Sequence, residues 1–216
     1  MRISSPRCAA FARVVSTFAM AQFLSAQGLP ARATPTDYQA QAKAGPVTIG
    51  AEFTGHGIPN ALQPLNAEDY VAVEVGLFGA ADARLTIGPT DFSLRINGKK
   101  DLLPSQPWGL VAKGVKDLEW VSPDAVPGES KSKGSVNGGG GGGQGSNTLP
   151  PPTPKVPIDV LRGWQLAVKN AALAQGDRAL PQAGLIYFPY RGKVTSIRSL
   201  ELIYEGPAGT ASLTLQ

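Results

Sequence analysis

The stretch that decides the fold, residues 183–206, reads AGLIYFPYRGKVTSIRSLELIYEG. It contains two apolar runs, 185–190 and 199–204, which are joined by a polar segment that contains a glycine. A third run, 211–215, follows a turn of glycine and proline at 206–209. Apolar runs bounded in this way are typical of antiparallel strands. Because three short strands bury too little surface to be stable alone, the rest of the chain must complete their core.

Each of the last two runs has one apolar face and one polar face. Apolar and polar residues alternate, so that Leu202 and Leu213 belong to apolar faces and Glu201 and Thr214 to polar ones. A register shift of one residue would exchange the two faces and bring Glu201 into the core. We therefore expect both leucines to be buried, and Glu201 and Thr214 to be exposed.

The first half of the chain contains further strand signals. Apolar runs, mostly alternating, occur at 47–53, 69–78, 83–87 and 91–96, with weaker candidates at 102–103 and 116–121. Asn97 and Gly98 both tolerate positive φ, and the pair predicts a tight primed turn after the run at 91–96. The pattern as a whole predicts a mainly β protein, an antiparallel β-sandwich.

One segment, 158–175, predicts a helix. Pro157 suits the first turn of a helix, Asp159 favours its positive end, and Gly176 is a typical stop signal. The apolar side chains recur at helical spacing on one face, which we interpret as a packing face: Leu161, Trp164, Val168 and Ala172.

Residues 122–156 have a different composition, with a run of six glycines followed by a proline-rich stretch. Consecutive glycines lose too much conformational entropy on ordering to pack stably. A phosphate-binding glycine loop would need a preceding strand, a following helix and a GK[ST] ending, which are missing here. We therefore predict a disordered linker that interrupts a single sandwich domain at 46–216, because neither flanking half has enough partners for a core of its own.

The N-terminal residues predict a secretory signal peptide at 1–26. Three arginines precede or flank an apolar run at 14–24, and small residues follow it. Cleavage is expected after Ala26 or after Ala33. The run is too short to span a bilayer, which takes about 20 residues. We therefore expect an extracytoplasmic protein, periplasmic or secreted, without an integral membrane span and with a flexible N-terminus at 27–45.

Removal of the leader changes both the charge and the thiol content. Loss of Arg2, Arg7 and Arg13 lowers Lys+Arg from 20 to 17, against 16 Asp+Glu. The sole cysteine, Cys8, is lost as well. The near-neutral remainder does not point to a nucleic-acid partner.

The sequence identifies no catalytic, cofactor-binding or metal-binding residues. Its single histidine, His56, lies between two glycines, which is typical of a solvated turn. The acid pairs Glu68-Asp69 and Asp117/Glu119 match no calcium-loop pattern, although acids could still meet across strands as a glycosidase dyad. We expect no enzyme activity and no cofactor.

Five aromatic residues leave one alternative open. They could line a sugar-binding face, but tryptophan and tyrosine are also common in sandwich cores, the interpretation that we prefer. The residues concerned are Trp108, Trp120, Trp164, Tyr187 and Tyr190.

Three segments carry a resemblance to a known family. Tyr70–Phe78 (YVAVEVGLF), residues 92–98 (FSLRING) and residues 184–188 (GLIYF) before a final strand pair resemble the immunoglobulin-like, telokin-like sandwich domains of secreted bacterial proteins. The glycine-rich insertion and the helix at 158–175 are not part of a plain sandwich of this kind. The resemblance implies an extracytoplasmic, non-catalytic interaction domain.

The first functional hypothesis is a binding module with an unknown protein or glycan partner. Two further hypotheses accompany it. The chain could be an envelope assembly or structural factor that offers an exposed sheet edge for strand addition. It could also be a carbohydrate-active protein, which would need converging acids in a cleft.

Overall fold

The computed structural model describes residues 28–60, 64–121 and 156–216. The predicted leader at 1–26, and all of the predicted linker at 122–156 except Val156, lie outside these residues. The strands, in chain order, are β1 (Ala40–Ala44), β2 (Val47–Gly55), β3 (Gly57–Ile58), β4 (Leu65–Asn66), β5 (Tyr70–Phe78), β6 (Arg84–Ile87), β7 (Phe92–Ile96), β8 (Leu103–Pro104), β9 (Gly176–Ala179), β10 (Gln182–Pro189), β11 (Leu200–Gly206) and β12 (Gly209–Thr214). Within these ranges two α-helices accompany them, α1 (Trp108–Val111) and α2 (Ile158–Ala171).

The protein is mainly β, as predicted, and its strands form several antiparallel sheets. One four-stranded sheet has the order β1-β2-β5-β10, and another has the order β12-β11-β7-β8. Two smaller sheets pair β3 with β4 and β6 with β9. Each four-stranded sheet combines strands that precede residue 122 with strands that follow residue 155. The arrangement is consistent with a β-sandwich.

The two apolar runs of residues 183–206 lie in different sheets. The first run is part of β10, which pairs with β5, and the second is part of β11, which pairs with β7 and β12. The polar segment between them carries the chain from one sheet to the other, so it is not a hairpin turn. This crossing places strands from the C-terminal part of the chain in both sheets.

Side chains from both four-stranded sheets share one core. Val75 and Leu94 from the first half and Leu202 and Leu213 from the second belong to it. Leu202 is 0% and Leu213 is 2% exposed, and Thr214 is exposed, which confirms the expected parity.

Glu201 differs from its expected exposure. Its side chain is about one-third exposed at 32%, because β11 is flanked by a strand on either side. Arg95 lies directly opposite on β7 and contacts the Glu201 carboxylate at 2.5 Å, while Ser212 on β12 donates a hydrogen bond to it. The residue is part of a cross-strand polar network instead of being freely solvated.

A second apolar cluster forms where α2 packs on the outer face of the first sheet. Trp164 and Val168 of α2 contact a cluster that includes Leu185 and Tyr187 of β10, which confirms the predicted packing face. The Tyr187 hydroxyl donates to the carbonyl oxygen of Val168 at 3.1 Å, and burial raises the pKa of Tyr187. Among the described residues, no helix combines the length and hydrophobicity needed to cross a bilayer.

The predicted flexible N-terminus at 27–45 is wrong for the part that the structure describes. Residues 40–44 form β1, which pairs in register with β2, and Tyr38 is buried with 6% exposure. Local pattern does not predict this, because Tyr38 packs over Gly50 of β2 and Gly76 of β5, which become neighbours only when the two strands pair.

Two other boundaries also differ. The helix ends at Ala171 instead of residue 175. Ala172 has an extended backbone and forms an isolated β-bridge with Leu185 of β10. The weak strand candidate at 116–121 forms only an isolated bridge between Lys116 and Asn66.

Candidate functional site

A cleft of about 770 Å³ opens at one end of the two four-stranded sheets. It lies where β5 begins, where β7 and β10 end, and beside β8. We call it the end cleft, and its lining residues come from both sides of residues 122–155. Its apolar and aromatic lining comprises Tyr70, Ile96, Leu103, Pro189 and Tyr190. Its polar lining comprises Asp69, Asn97, Lys99, Asp101, Arg191, Gly192 and Ser196.

One wall of the end cleft is the loop that follows β10. The Tyr190 hydroxyl lies 2.7 Å from the Ser196 hydroxyl and donates to the Lys193 carbonyl oxygen at 3.3 Å. Arg191 forms an ion pair with Asp69, with Nε 2.9 Å from Oδ1. Both side chains of this pair are more than half exposed, so the pair orients them more than it stabilises the fold.

His56 connects this loop to the start of β5. Its Nε2 lies 3.0 Å from the carbonyl oxygen of Gly192, and its Nδ1 lies 2.7 Å from that of Tyr70. The ring also stacks on Tyr190, with centroids 6.3 Å apart and planes 20° apart. His56 is therefore not the solvated turn residue that its glycine neighbours predicted. It joins the start of β5 to the loop after β10 and so positions Tyr190.

The opposite wall begins with the turn that follows β7. Asn97 and Gly98 have φ of +54° and +63°, which confirms the predicted primed turn. The Asn97 side chain donates to the Ser196 carbonyl oxygen at 3.1 Å and accepts from the Arg198 backbone N–H at 2.6 Å. Asn97 thus joins the two walls and has little capacity left for a ligand.

The charged groups of the end cleft balance one another. Asp69 and Arg191 neutralise each other on one wall, and Lys99 and Asp101 carry opposite charges on the other. Lys99 and Asp101 are exposed, and within the described part of the chain neither takes part in an ion pair. Their donors and acceptors are the ones that a ligand can reach.

The acid pairs considered from the sequence do not form a dyad. Glu68 pairs with Lys116 at 3.0 Å, away from its neighbour Asp69, which faces Arg191. Asp117 accepts from the backbone N–H of Glu119 at 2.9 Å in a local turn. In the ranges that the structure describes, no group of three or more His, Cys, Asp or Glu side chains is placed to hold a metal ion.

The five aromatic candidates separate into two groups. Tyr187 is buried beneath α2, and Trp164 packs edge-on against Trp120 with centroids 6.4 Å apart. Trp108 also packs near α2, where Lys169 lies over its ring. Only Tyr190, of the five, lines the end cleft. The preferred core interpretation therefore describes the other four, and Tyr70 is an aromatic lining residue that sequence reasoning missed.

No protein-family model, no curated protein and no solved structure matches the chain.

Proposed function

We propose that this chain is an exported, non-catalytic binding module and that its ligand, a neutral glycan segment, occupies the end cleft. The observation that carries the proposal is the composition of the cleft: an aromatic and apolar lining with charges of both signs at its rim. A volume of about 770 Å³ lies within the roughly 300–1,000 Å³ usual for ligand pockets.

The chemistry of the lining supports a sugar. A pyranose has apolar C–H faces, which can lie on tyrosine rings, and hydroxyl groups that both donate and accept hydrogen bonds. Tyr70 and Tyr190 supply the rings, while Lys99 can donate and Asp101 can accept. Because the four charged residues of the cleft sum to zero, they favour a neutral ligand over a strongly charged one.

The placement of Asp69 and His56 supports binding without catalysis, and Asp101 alone does not supply the pair of carboxylates that glycoside hydrolysis uses. Asp69 faces the Arg191 guanidinium, and both ring nitrogens of His56 face backbone carbonyl oxygens. A general base has to reach a substrate proton within about 3 Å, and these two groups are already engaged elsewhere.

An immunoglobulin-like architecture is part of the proposal at the level of two facing antiparallel sheets. The constant-type immunoglobulin domain has the strand order ABED in one sheet and CFG in the other. Here both main sheets have four strands, and β2 pairs with β5, the next long strand along the chain. The proposed likeness is therefore limited to the two-layer arrangement, and the strand order of this protein differs from that of the immunoglobulin domain.

Strand addition has less support than ligand binding. The outer edge of β10 already carries backbone bridges at three positions, in which Leu29 meets Ala183, Ala172 meets Leu185, and Gln106 meets Tyr187. These bridges occupy backbone groups that a strand added at the β10 edge would need.

Titration of the isotope-labelled protein with a panel of neutral oligosaccharides, followed by NMR, tests the proposal. Amide shifts should be confined to the end-cleft residues, and Asp101→Asn and Tyr190→Ala should each weaken binding at least tenfold. Thr210→Ala, an exposed change near the β11–β12 turn, is the matched control and should bind like the wild type. Shifts away from the cleft, or unchanged affinity in both cleft variants, would contradict the proposal.

A further inference from the structure

A second depression, of about 280 Å³, lies beside the end cleft on the sheet β12-β11-β7-β8, and we call it the outer pocket. Its polar lining comprises Arg95, Ser199, Glu201, Thr214 and Gln216, and Gly98 also lines it. Arg95, Glu201 and Thr214 alternate along their strands with buried core residues. The outer pocket therefore lies on the face of the sheet that points away from the shared core.

A ridge of two chain segments separates the outer pocket from the end cleft. In the turn after β7, Asn97 and Lys99 line the end cleft, and Gly98 between them lines the outer pocket. In the facing segment, Ser196 lines the end cleft and Ser199 lines the outer pocket. Each segment thus contributes residues to both spaces, so only the width of the ridge lies between them.

Asn97 fixes the ridge, and Gly98 leaves it open above. The Asn97 N–H donates to the Ser199 carbonyl oxygen at 2.8 Å, and the Asn97 side-chain oxygen accepts from the Ser199 N–H at 3.2 Å. Gly98 has φ of +63°, and a Cβ there would meet nothing within 4 Å beyond its chain neighbours. A ligand chain can therefore cross the ridge at Gly98 without displacing a side chain.

The outer pocket offers both donors and acceptors to a ligand. Arg95, Glu201 and Thr214 lie side by side on β7, β11 and β12, in a row that spans about 10 Å at the usual strand spacing. Arg95 contacts Glu201 through Nη1, and in the described part of the chain its other N–H groups have no protein partner. Among the described residues, the exposed hydroxyls of Ser199 and Thr214 have none either. These groups match the alternating donors and acceptors of a polyhydroxylated ligand.

We propose that the outer pocket is a second subsite of the end cleft, and that the ligand is a neutral glycan chain long enough to cross the ridge and occupy both. The inference rests on the proposed function of the end cleft. Arg95 and Glu201 carry opposite charges and contact each other, so the outer pocket, like the end cleft, favours a neutral ligand. A disaccharide occupies the end cleft alone, whereas a longer chain continues over Gly98 to Ser199 and Thr214.

The two spaces contribute to binding in different ways. The end cleft supplies the rings of Tyr70 and Tyr190, whereas the outer pocket has no aromatic side chain among its described lining residues. The outer pocket therefore binds through hydrogen bonds, for which water competes, and a separate sugar binds there weakly. A chain already held in the end cleft brings its next sugars to the outer pocket at a high effective concentration, so the same contacts then increase the affinity.

Titration of the isotope-labelled protein with two lengths of each neutral glycan, for example cellobiose with cellohexaose and maltose with maltohexaose, tests the proposal. For the series that binds, the disaccharide should shift end-cleft amides only. The hexasaccharide should also shift the amides of Ser199, Thr214 and Gln216 and should bind about tenfold more tightly. Hexasaccharide shifts confined to the end cleft would overturn the second subsite and leave the end cleft standing. The absence of end-cleft shifts with every series would contradict both.

Variants of the outer pocket separate the two subsites. Ser199→Ala combined with Thr214→Val removes both hydroxyls and should lower hexasaccharide affinity at least about fivefold, with disaccharide affinity unchanged. Gly98→Asn, which tolerates the positive φ and places a side chain on the ridge, should show the same selective loss. Thr210→Ala removes an exposed hydroxyl at the other end of β12 and is the matched control, which should bind both lengths like the wild type. Unchanged hexasaccharide affinity in the double variant, or an equal loss for both lengths, would overturn the assignment.

Discussion

Glu52 and Glu74 face each other across β2 and β5, and the guanidinium of Arg32 contacts both carboxylates. The Arg32 side chain is 30% and that of Glu74 only 15% exposed, so the contact is partly shielded from water. Hydrogen bonding to Glu74 is the main cause of a raised pKa of Arg32, although burial acts in the opposite direction. A residue that precedes the first strand of the sheet thus neutralises a like-charge pair within it.

Arg32→Ala should therefore destabilise the fold by about 1–2 kcal/mol, less than a fully buried pair because solvent screens part of the interaction. Urea unfolding measures the change. Arg84→Ala, which removes an exposed pair with Asp177, is the matched control and should cost under about 1 kcal/mol. In the Arg32→Ala background, Glu52→Gln should recover part of the loss, since it removes one of the facing charges. Equal effects of the two arginine variants would argue against the role assigned to Arg32.

The Glu201 carboxylate should titrate below its ordinary value of 4.5, first because Ser212 donates a hydrogen bond to it and then because Arg95 lies beside it. Since the folded pKa is the lower one, the network contributes stability above about pH 4.5 that is lost as the pH falls through the folded pKa. Carbon-detected NMR titration reads the pKa directly. Ser212→Ala should raise it towards 4.5. A wild-type pKa at or above the ordinary value would contradict the network.

His56→Ala should loosen the wall of the end cleft. The variant removes the contacts of the ring nitrogens with Gly192 and Tyr70, so the free energy of unfolding should fall by about 1–3 kcal/mol. Amide exchange should accelerate in residues 190–196 more than elsewhere. Tyr190→Phe removes only the hydroxyl contacts with Ser196 and with the Lys193 carbonyl oxygen and keeps the ring, so it should show a smaller change. Uniform acceleration over the whole protein would instead indicate a purely global role for His56.

The strands were predictable from local pattern, whereas the surface contacts were not. Alternation predicted the burial of Leu202 and Leu213, because period-two patterning depends only on near neighbours in sequence. The packing position of the Tyr38 ring depends on Gly50 and Gly76, which become neighbours only after β2 and β5 pair. No pattern along the chain marks such a pair in advance.

The end cleft could not be predicted from the sequence, for a similar reason. Tyr70 begins β5, Lys99 and Asp101 lie in the loop after β7, and Tyr190 follows β10, so only pairing of the strands places them around one space. The glycine neighbours of His56 are a misleading local signal, because its ring nitrogens contact the carbonyl oxygens of three residues farther along the chain: Ala67, Tyr70 and Gly192. Sequence predicts the primed turn at residues 97–98, because that turn is determined by its own residues, and it offers Tyr190 only as one of five aromatic candidates.

Deletion of residues 132–147 should leave the fold intact. The composition of this glycine-rich stretch predicts a disordered linker, and shortening a linker of that kind changes its closure entropy by less than about 1 kcal/mol. The melting temperature should therefore shift by less than about 4 °C. Differential scanning calorimetry of the deletion variant and the parent provides the comparison, and a much larger drop would mean that the segment packs against the fold.

The most direct measurement is amide hydrogen exchange on Leu202→Ala, because it tests whether the segments on both sides of residues 122–155 fold as one unit that carries the end cleft. Leu202 is fully buried in the core shared with Val75, so the truncation should cost about 2–5 kcal/mol. The predicted result is one cooperative unfolding transition with faster exchange throughout Tyr70–Phe78, while Thr214→Ala, at an exposed position of β12, changes neither. Two separate transitions, with exchange in Tyr70–Phe78 unaffected by Leu202→Ala, would contradict a shared core and with it a cleft built from both parts of the chain.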